Sequence, residues 1–163
     1  MGTRFWRWIV DVVCGIALAL PALGVAATDS GTIRETVFPN GLKILTNELH
    51  AAPVVTVWTL YRVGSRNERP GATGISHVLE HLLFRSTKAM KTGEIDRLIG
   101  LVGGRHNAYT SYDYTAYHMT LPSDRLETAL RIEADRMLNC ALDPDELKTE
   151  LGGAVGYKVR FTD

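Results

Sequence analysis

The sequence predicts an α+β chain in which a largely antiparallel sheet packs against helices. Three observations carry that expectation. Among 163 residues 45% are apolar and 22% charged, proportions of a globular chain rather than a disordered or multi-span membrane one. Two stretches, VVTVWTLYRV at 54–63 and RHNAYTSYDYTAYHMTL at 105–121, are rich in β-branched and aromatic residues. Each is followed by segments of helical periodicity, so the order runs strands, helices, strands, helices.

The first strands are expected at Ile33–Phe38 and Leu42–Leu49, joined by the turn sequence Pro39-Asn40-Gly41. Residues 54–63 form the next. Ser65–Gly74 is polar and punctuated by Gly and Pro, and reads as a loop. Helices follow at Ile75–Phe84 and Glu94–Leu101, the second closed by Gly103-Gly104. The 105–121 stretch divides into strand, turn and strand, with the turn near Ser111–Asp113. Asp124 and Glu127 have the spacing of a capping box, and Leu126, Leu130, Met137 and Leu138 supply the buried stripe of a long helix. Asp143, Pro144 and Glu146 open a last helix as N-cap, first-turn proline and box partner.

Lys plus Arg balance Asp plus Glu at 18 each, so bulk charge gives no sign of a nucleic-acid partner. The two cysteines, Cys14 and Cys140, are too few for a disulfide framework. The N-terminus begins with Arg4 and Arg7, continues through the apolar run VVCGIALAL at 12–20, and breaks at Pro21 before small residues. This pattern predicts a signal peptide over residues 1–27, cut after Ala27 with Ala26 as the neighbouring option, and hence export to a periplasmic or extracellular space. An uncleaved anchor is the competing reading. Residues 28–163 would then carry sixteen basic and seventeen acidic groups, with Cys140 as a lone, small apolar residue and no stable membrane span.

The informative segment is HVLEH, residues 77–81. At about 100° per residue, His81 falls roughly 40° from His77 and Glu80 roughly 60° on the other side. Ile75, Val78, Leu79, Leu82 and Leu83 occupy the opposite face, as the packing stripe. Two histidines one turn apart can bind one Zn²⁺ through neutral nitrogens. A glutamate beside them can take a proton from water that the metal has acidified to a pKa of about 7. By itself the motif leaves a second reading open: solvated polar residues on an amphipathic helix.

The inverted zinc motif H-x-x-E-H and its surroundings resemble the insulinase and pitrilysin family of zinc peptidases, which includes the mitochondrial processing peptidases. The resemblance runs through FPNGLKILTNE (38–48), APVVTVWTLYRVGSRNE (52–68) and GATGISHVLEHLLFRST (71–87). It continues through GGRHNAYTSYDYTAYHMTLP (103–122), EADRM (133–137) and LDPDELKTE (142–150). It implies a processing-peptidase-like metallohydrolase fold, here truncated to part of its first domain, with His77 and His81 as zinc ligands and Glu80 as general base. It also implies that Asn107, Ala108, Tyr109 and Thr110 lie on the strand bordering a cleft where an extended peptide adds to the sheet. A plain edge strand is the alternative for those four. Phe84 either floors the pocket or packs in the core. His50, His106 and His118 fall at no ligand position.

The family completes its zinc site with two glutamates seven residues apart on the helix that here starts at Asp143. Glu150 matches the first, an auxiliary acid near the site; the third-ligand position is occupied by Tyr157. A phenol with a pKa near 10 is a poor replacement for a carboxylate. Gly152, Gly153 and Gly156 together remove roughly 3 kcal/mol of helix propensity around it. Family chains have a second, similar half, so a partner chain supplying the missing half is expected, as is an uncovered apolar surface. Two functions follow: a zinc metalloendopeptidase acting on peptides or proteins, truncated and impaired, or a non-catalytic peptide-binding or assembly subunit or inactive fragment.

Overall fold

The structure, a computed structural model, describes residues 31–152. The signal peptide expected over 1–27, and Gly153, Gly156 and Tyr157, lie outside the described residues. The chain divides into two compact units, Met1–His50 and Ala51–Asp163.

In the first unit, β1 (Arg34–Val37) and β2 (Lys43–Thr46) form an antiparallel hairpin with Arg34 opposite Thr46 and Val37 opposite Lys43. The expected turn is there. Phe38 N–H donates to Leu42 O at 2.8 Å, and Asn40 Oδ1 accepts from Leu42 N at 3.1 Å. The strands are shorter than the expected 33–38 and 42–49, because pairing ends where the turn and the 47–53 loop begin.

The second unit holds β3 (Val54–Tyr61), β4 (Arg105–Thr110) and β5 (Thr115–Pro122), in the order β3-β5-β4, all antiparallel. Its helices are α1 (Ile75–Leu82), α2 (Glu94–Leu101), α3 (Leu126–Asn139) and α4 (Pro144–Gly152). Alternation sorts the sheet into two faces. Val55, Val57, Met119 and Leu121 point one way and meet Ile95 and Ile99 of α2 and Ala129 and Ile132 of α3. Each fully buried aliphatic side chain there contributes roughly 2 kcal/mol. The other face is open. Val54, Trp58 and Leu60 are each more than half exposed, and Trp58 stacks on His118 with centroids 4.5 Å apart.

Gly103, at φ 72°, lies in the left-handed region and ends α2 as expected, its N–H donating to Gly100 O at 3.0 Å. Gly64 is required for a different reason: a Cβ there would meet Ser111 O at 2.4 Å, so only glycine lets the loop after β3 pass the β4–β5 turn.

Two helix expectations are corrected. Leu126, Leu130, Met137 and Leu138 do not form the buried stripe of α3; all four are exposed. The buried positions are Ala129, Ile132, Glu133 and Arg136, an equally regular i, i+3, i+4, i+7 set. It wins because Arg136 lies over the Tyr117 ring at 4.2 Å and pairs with Glu133, so the two charges meet inside the unit, although among the described residues Arg136 Nη1 has no hydrogen-bond partner. The Asp124–Glu127 capping box is absent as well. A 3₁₀ turn over Ser123–Arg125 precedes α3, its N-cap Arg125 makes no side-chain cap bond, and Glu127 binds Arg131 at 2.7 Å.

At α4 the N-cap is as expected, with Asp143 Oδ1 accepting from Asp145 N at 2.8 Å. Its proposed box partner Glu146 instead accepts from the Ser86 hydroxyl at 2.7 Å. Among the described residues no helix is long and apolar enough to cross a membrane.

Candidate metal centre

The helix bearing HVLEH has a glycine, Gly74, at its N-cap, which offers no side-chain acceptor. The first turn is satisfied from outside. Glu68, in the loop after β3, accepts from Gly74 N at 2.8 Å through Oε2 and from Ser76 N at 3.0 Å through Oε1. Burial works to raise the Glu68 carboxyl, but these two N–H donors prevail and hold it below the ordinary carboxylate value. Reading the sequence as a plain loop missed this residue. The available signal was a helix start without its own capping side chain, preceded by a carboxylate.

α1 crosses the inner face of β4 and meets α4. Its packing differs from the expected stripe. Val78 and Leu82 are buried, but Ile75 and Leu79 are 37% and 40% exposed, and Leu83 is half-buried. Ser76 and Glu80, polar residues on the other flank, are buried instead. The helix is therefore clasped on two sides, and the line through Ile75 and Leu79 stays open.

His77 and His81 point the same way. Their Nε2 atoms are 3.1 Å apart and their ring centroids 4.8 Å. Two nitrogens held by one tetrahedral Zn²⁺ at about 2.0–2.1 Å would lie about 3.3 Å from each other. Nδ1 of His81 lies 3.0 Å from Glu150 Oε2. An ionised carboxylate can only accept, so Nδ1 carries the hydrogen and Nε2 of a neutral ring presents its lone pair toward His77. Glu150 is 5% exposed and its other oxygen takes the Arg85 Nε–H at 2.5 Å. The acid is thus fixed behind the His81 ring, not beside the two Nε2 atoms.

Glu80 is 8% exposed, and its Oε2 accepts from Thr110 Oγ1 at 2.6 Å. Its main-chain carbonyl accepts from the Tyr117 hydroxyl at 3.4 Å. Burial drives the Tyr117 phenol far above its ordinary value, so it stays a donor. Glu80, His81, Phe84, Arg85, Asn107 and Glu150 line a cavity of about 350 Å³.

The four strand positions separate. Asn107 lines the cavity and Thr110 holds Glu80. Ala108 sits on the helix side, and its N–H donates to Asn107 Oδ1 at 2.9 Å. Tyr109 turns to the open face, edge-on to Trp58 at 6.4 Å and with its hydroxyl 3.2 Å from that of Tyr114. Among the described residues β4 pairs on one side only, with β5, so its other edge has no strand partner.

Phe84 meets both of its expectations, lining the cavity while packing 5.2 Å from the His106 ring and 5.6 Å from Tyr117. His106 binds Asp96 at 2.8 Å, His118 stacks on Trp58, and His50 lies 3.8 Å from Glu48. Cys140 is half-buried, its thiol raised by burial and its Sγ 3.8 Å from Leu82 O. Among the described residues no three His, Cys, Asp or Glu side chains converge to hold an ion. The two imidazoles fit a zinc ion as a pair, and Glu80 and Glu150 are engaged elsewhere.

Comparison with known proteins gives a consistent picture. The family described as insulinase, peptidase family M16, matches residues 43–161. A Helicobacter pylori protein named zinc protease PqqE is 42% identical over 112 residues, covering 68% of this chain and 25% of its own length. A Streptomyces coelicolor protein named as a zinc protease is 34% identical over 133 residues, 82% of this chain and 29% of that one. The crystal structure of a protease from Helicobacter pylori superposes with a TM-score of 0.73 at 38% identity, covering 76% of this chain and 30% of that one. The chain therefore spans less than a third of the length of these relatives.

Proposed function

The chain belongs to the insulinase family of peptidases, M16, and on that premise we propose that residues 28–163 are the metal-binding part of the first domain of a zinc-dependent endopeptidase. The observation that carries this reading is the 3.1 Å approach of the His77 and His81 Nε2 atoms, with Nδ1 of His81 tied back to Glu150. The zinc-protease names of the relatives support the choice of metal. Zinc, when bound, supplies a Lewis acid that polarises a peptide carbonyl and acidifies water.

The chain's own residues do the rest. His77 and His81 donate the ligand nitrogens, and Glu150 keeps His81 in the ligand tautomer. Glu80 takes a proton from the attacking water and returns it to the leaving amine, as a general base and then acid. The edge of β4 that has no strand partner among the described residues receives an extended peptide main chain to main chain, with Asn107 at the cavity wall. Export follows from the signal pattern of residues 1–27, and a second chain or further sequence would complete the chamber.

A second reading has its own observation. No third donor joins the two histidines among the described residues, which favours a non-catalytic peptide-binding or assembly subunit, or an inactive fragment. Zinc content per chain and peptide cleavage, with Glu80→Gln as control, separate the two. Stoichiometric zinc with cleavage abolished in Glu80→Gln supports the peptidase. Cleavage that survives the substitution removes Glu80 from the mechanism, and a chain without zinc or cleavage is the non-catalytic subunit.

A further inference from the structure

We propose that Thr110 is a positioning residue for Glu80: it occupies carboxylate oxygen Oε2, so that Oε1, which accepts no hydrogen bond from the described residues, is the oxygen that takes a proton from water. The inference rests on the reading of Glu80 as the base. It begins with a count of hydrogens. Thr110 Oγ1 lies 2.6 Å from Glu80 Oε2 and 3.4 Å from Thr115 Oγ1, while Thr115 Oγ1 lies 2.9 Å from Val63 O. A hydroxyl has one hydrogen, and a main-chain carbonyl has none. Thr115 therefore spends its hydrogen on Val63 and has nothing to give Thr110. Thr110 is left to donate, and the shorter, charged acceptor takes the bond; 2.6 Å is a charge-assisted O–H···O⁻ distance.

The donor itself is held rigidly. Thr110 closes β4 and stands opposite Thr115 in the last register pair. The turn beyond it is locked by Ser111, whose N–H donates to Tyr114 O at 2.8 Å. A β-branched side chain in a strand has little χ1 freedom. The acceptor needs that rigidity, because Glu80 reaches its carboxylate through three rotatable bonds from α1. A base that must meet water at one position loses rate when it samples others. Thr110 thus converts a feature of the sheet into the orientation of a group on the helix.

The test uses the full chain with Thr110→Val, which removes the hydroxyl at nearly constant shape, and Thr110→Ser, which restores it. In the zinc-loaded chain, Thr110→Val is expected to lower kcat by about tenfold to a hundredfold with KM unchanged within about twofold. Thr110→Ser returns kcat to within a few-fold of the parent. Competitive chelator titration is expected to give the same zinc affinity for all three, since Thr110 touches no ligand. In the zinc-free chain, a urea double-mutant cycle of Thr110→Val with Glu80→Met is expected to show coupling of about tenfold or more in the unfolding constant.

Coupling below about twofold overturns the contact. An unchanged kcat in Thr110→Val, or a Thr110→Ser as slow as Thr110→Val, overturns the orienting role. A parent chain that cleaves nothing while the cycle shows coupling puts this chain with the non-catalytic reading and defeats the catalytic role of Thr110, while the contact itself stands. That result differs from a lost contact.

Discussion

The Glu150 carboxylate lies 3.0 Å from Nδ1 of His81, on the side of the ring opposite the Nε2 that faces His77. A helix that starts more than sixty residues downstream of α1 therefore sets the tautomer of His81. Outer partners of this kind typically contribute ten- to a hundredfold to metal affinity. Glu150→Ala is expected to weaken zinc binding by about that factor in a competitive chelator titration, with Glu150→Gln intermediate because its amide oxygen still accepts. Equal affinity in all three would detach Glu150 from the site.

Glu68 is expected to tune stability with pH. Its folded carboxyl sits below the ordinary value of 4.5: burial raises it, and the Gly74 and Ser76 N–H groups more than reverse that. A depressed carboxyl contributes stability above its unfolded pKa and loses it as pH falls through the folded one. Glu146, lowered by the Thr92 and Ser86 hydroxyls and the Ser86 N–H against the effect of burial, acts in the same direction. Urea midpoints should therefore hold above about pH 4.5 and fall below it. The fall should be shallower in Glu68→Gln. At neutral pH Glu68→Ala should cost about 1 kcal/mol, the usual value of a helix cap.

These acids mark what the residues alone could tell. Helix α2 was legible to the residue, Glu94–Leu101, because a polar start, a 3.6 period and a glycine stop agree. The approach of His77 and His81 was legible because one turn of helix fixes their relation whatever surrounds it, while the burial of Glu80 against Thr110 was not. The buried face of α3 was not, since two stripes of equal period compete and only the tertiary partners of Arg136 decide between them. For the same reason the contacts of Thr110 with Glu80 and of Glu150 with His81 could not be read from their own segments, since each reaches α1 from another part of the chain.

The buried pair on α3 gives a stability test. Arg136 is 1% exposed and Glu133 4%, and the guanidinium covers Tyr117 and Phe84 from above. Removing one partner strands the other charge in the interior, which costs about 3–5 kcal/mol. Arg136→Met alone should therefore unfold the chain at much lower urea. Arg136→Met with Glu133→Leu should recover most of the loss, since an apolar pair leaves no charge unpaired. A double variant no more stable than the single would mean that stacking on the two rings, not pairing, holds α3 in place.

The last prediction concerns the third ligand, which no described residue supplies beside the two histidines. Catalytic zinc sites use three protein ligands and leave one position open, and the proposed site has two, His77 and His81. The family resemblance puts the third carboxylate where this sequence has Tyr157, among Gly153 and Gly156, each of which costs about 1 kcal/mol in a helix. Tyr157→Glu should tighten zinc binding by about tenfold or more, because an ionised carboxylate is a ready oxygen ligand at neutral pH while a phenol is not. Adding Gly153→Ala and Gly156→Ala should tighten it further by favouring the helix that would carry the new ligand. Cleavage that appears with these changes and disappears again on Glu80→Gln would tie the third ligand to the chemistry of the other three residues. Unaltered affinity across the series would mean that position 157 does not face the ion, and that a partner chain or further sequence must provide the ligand.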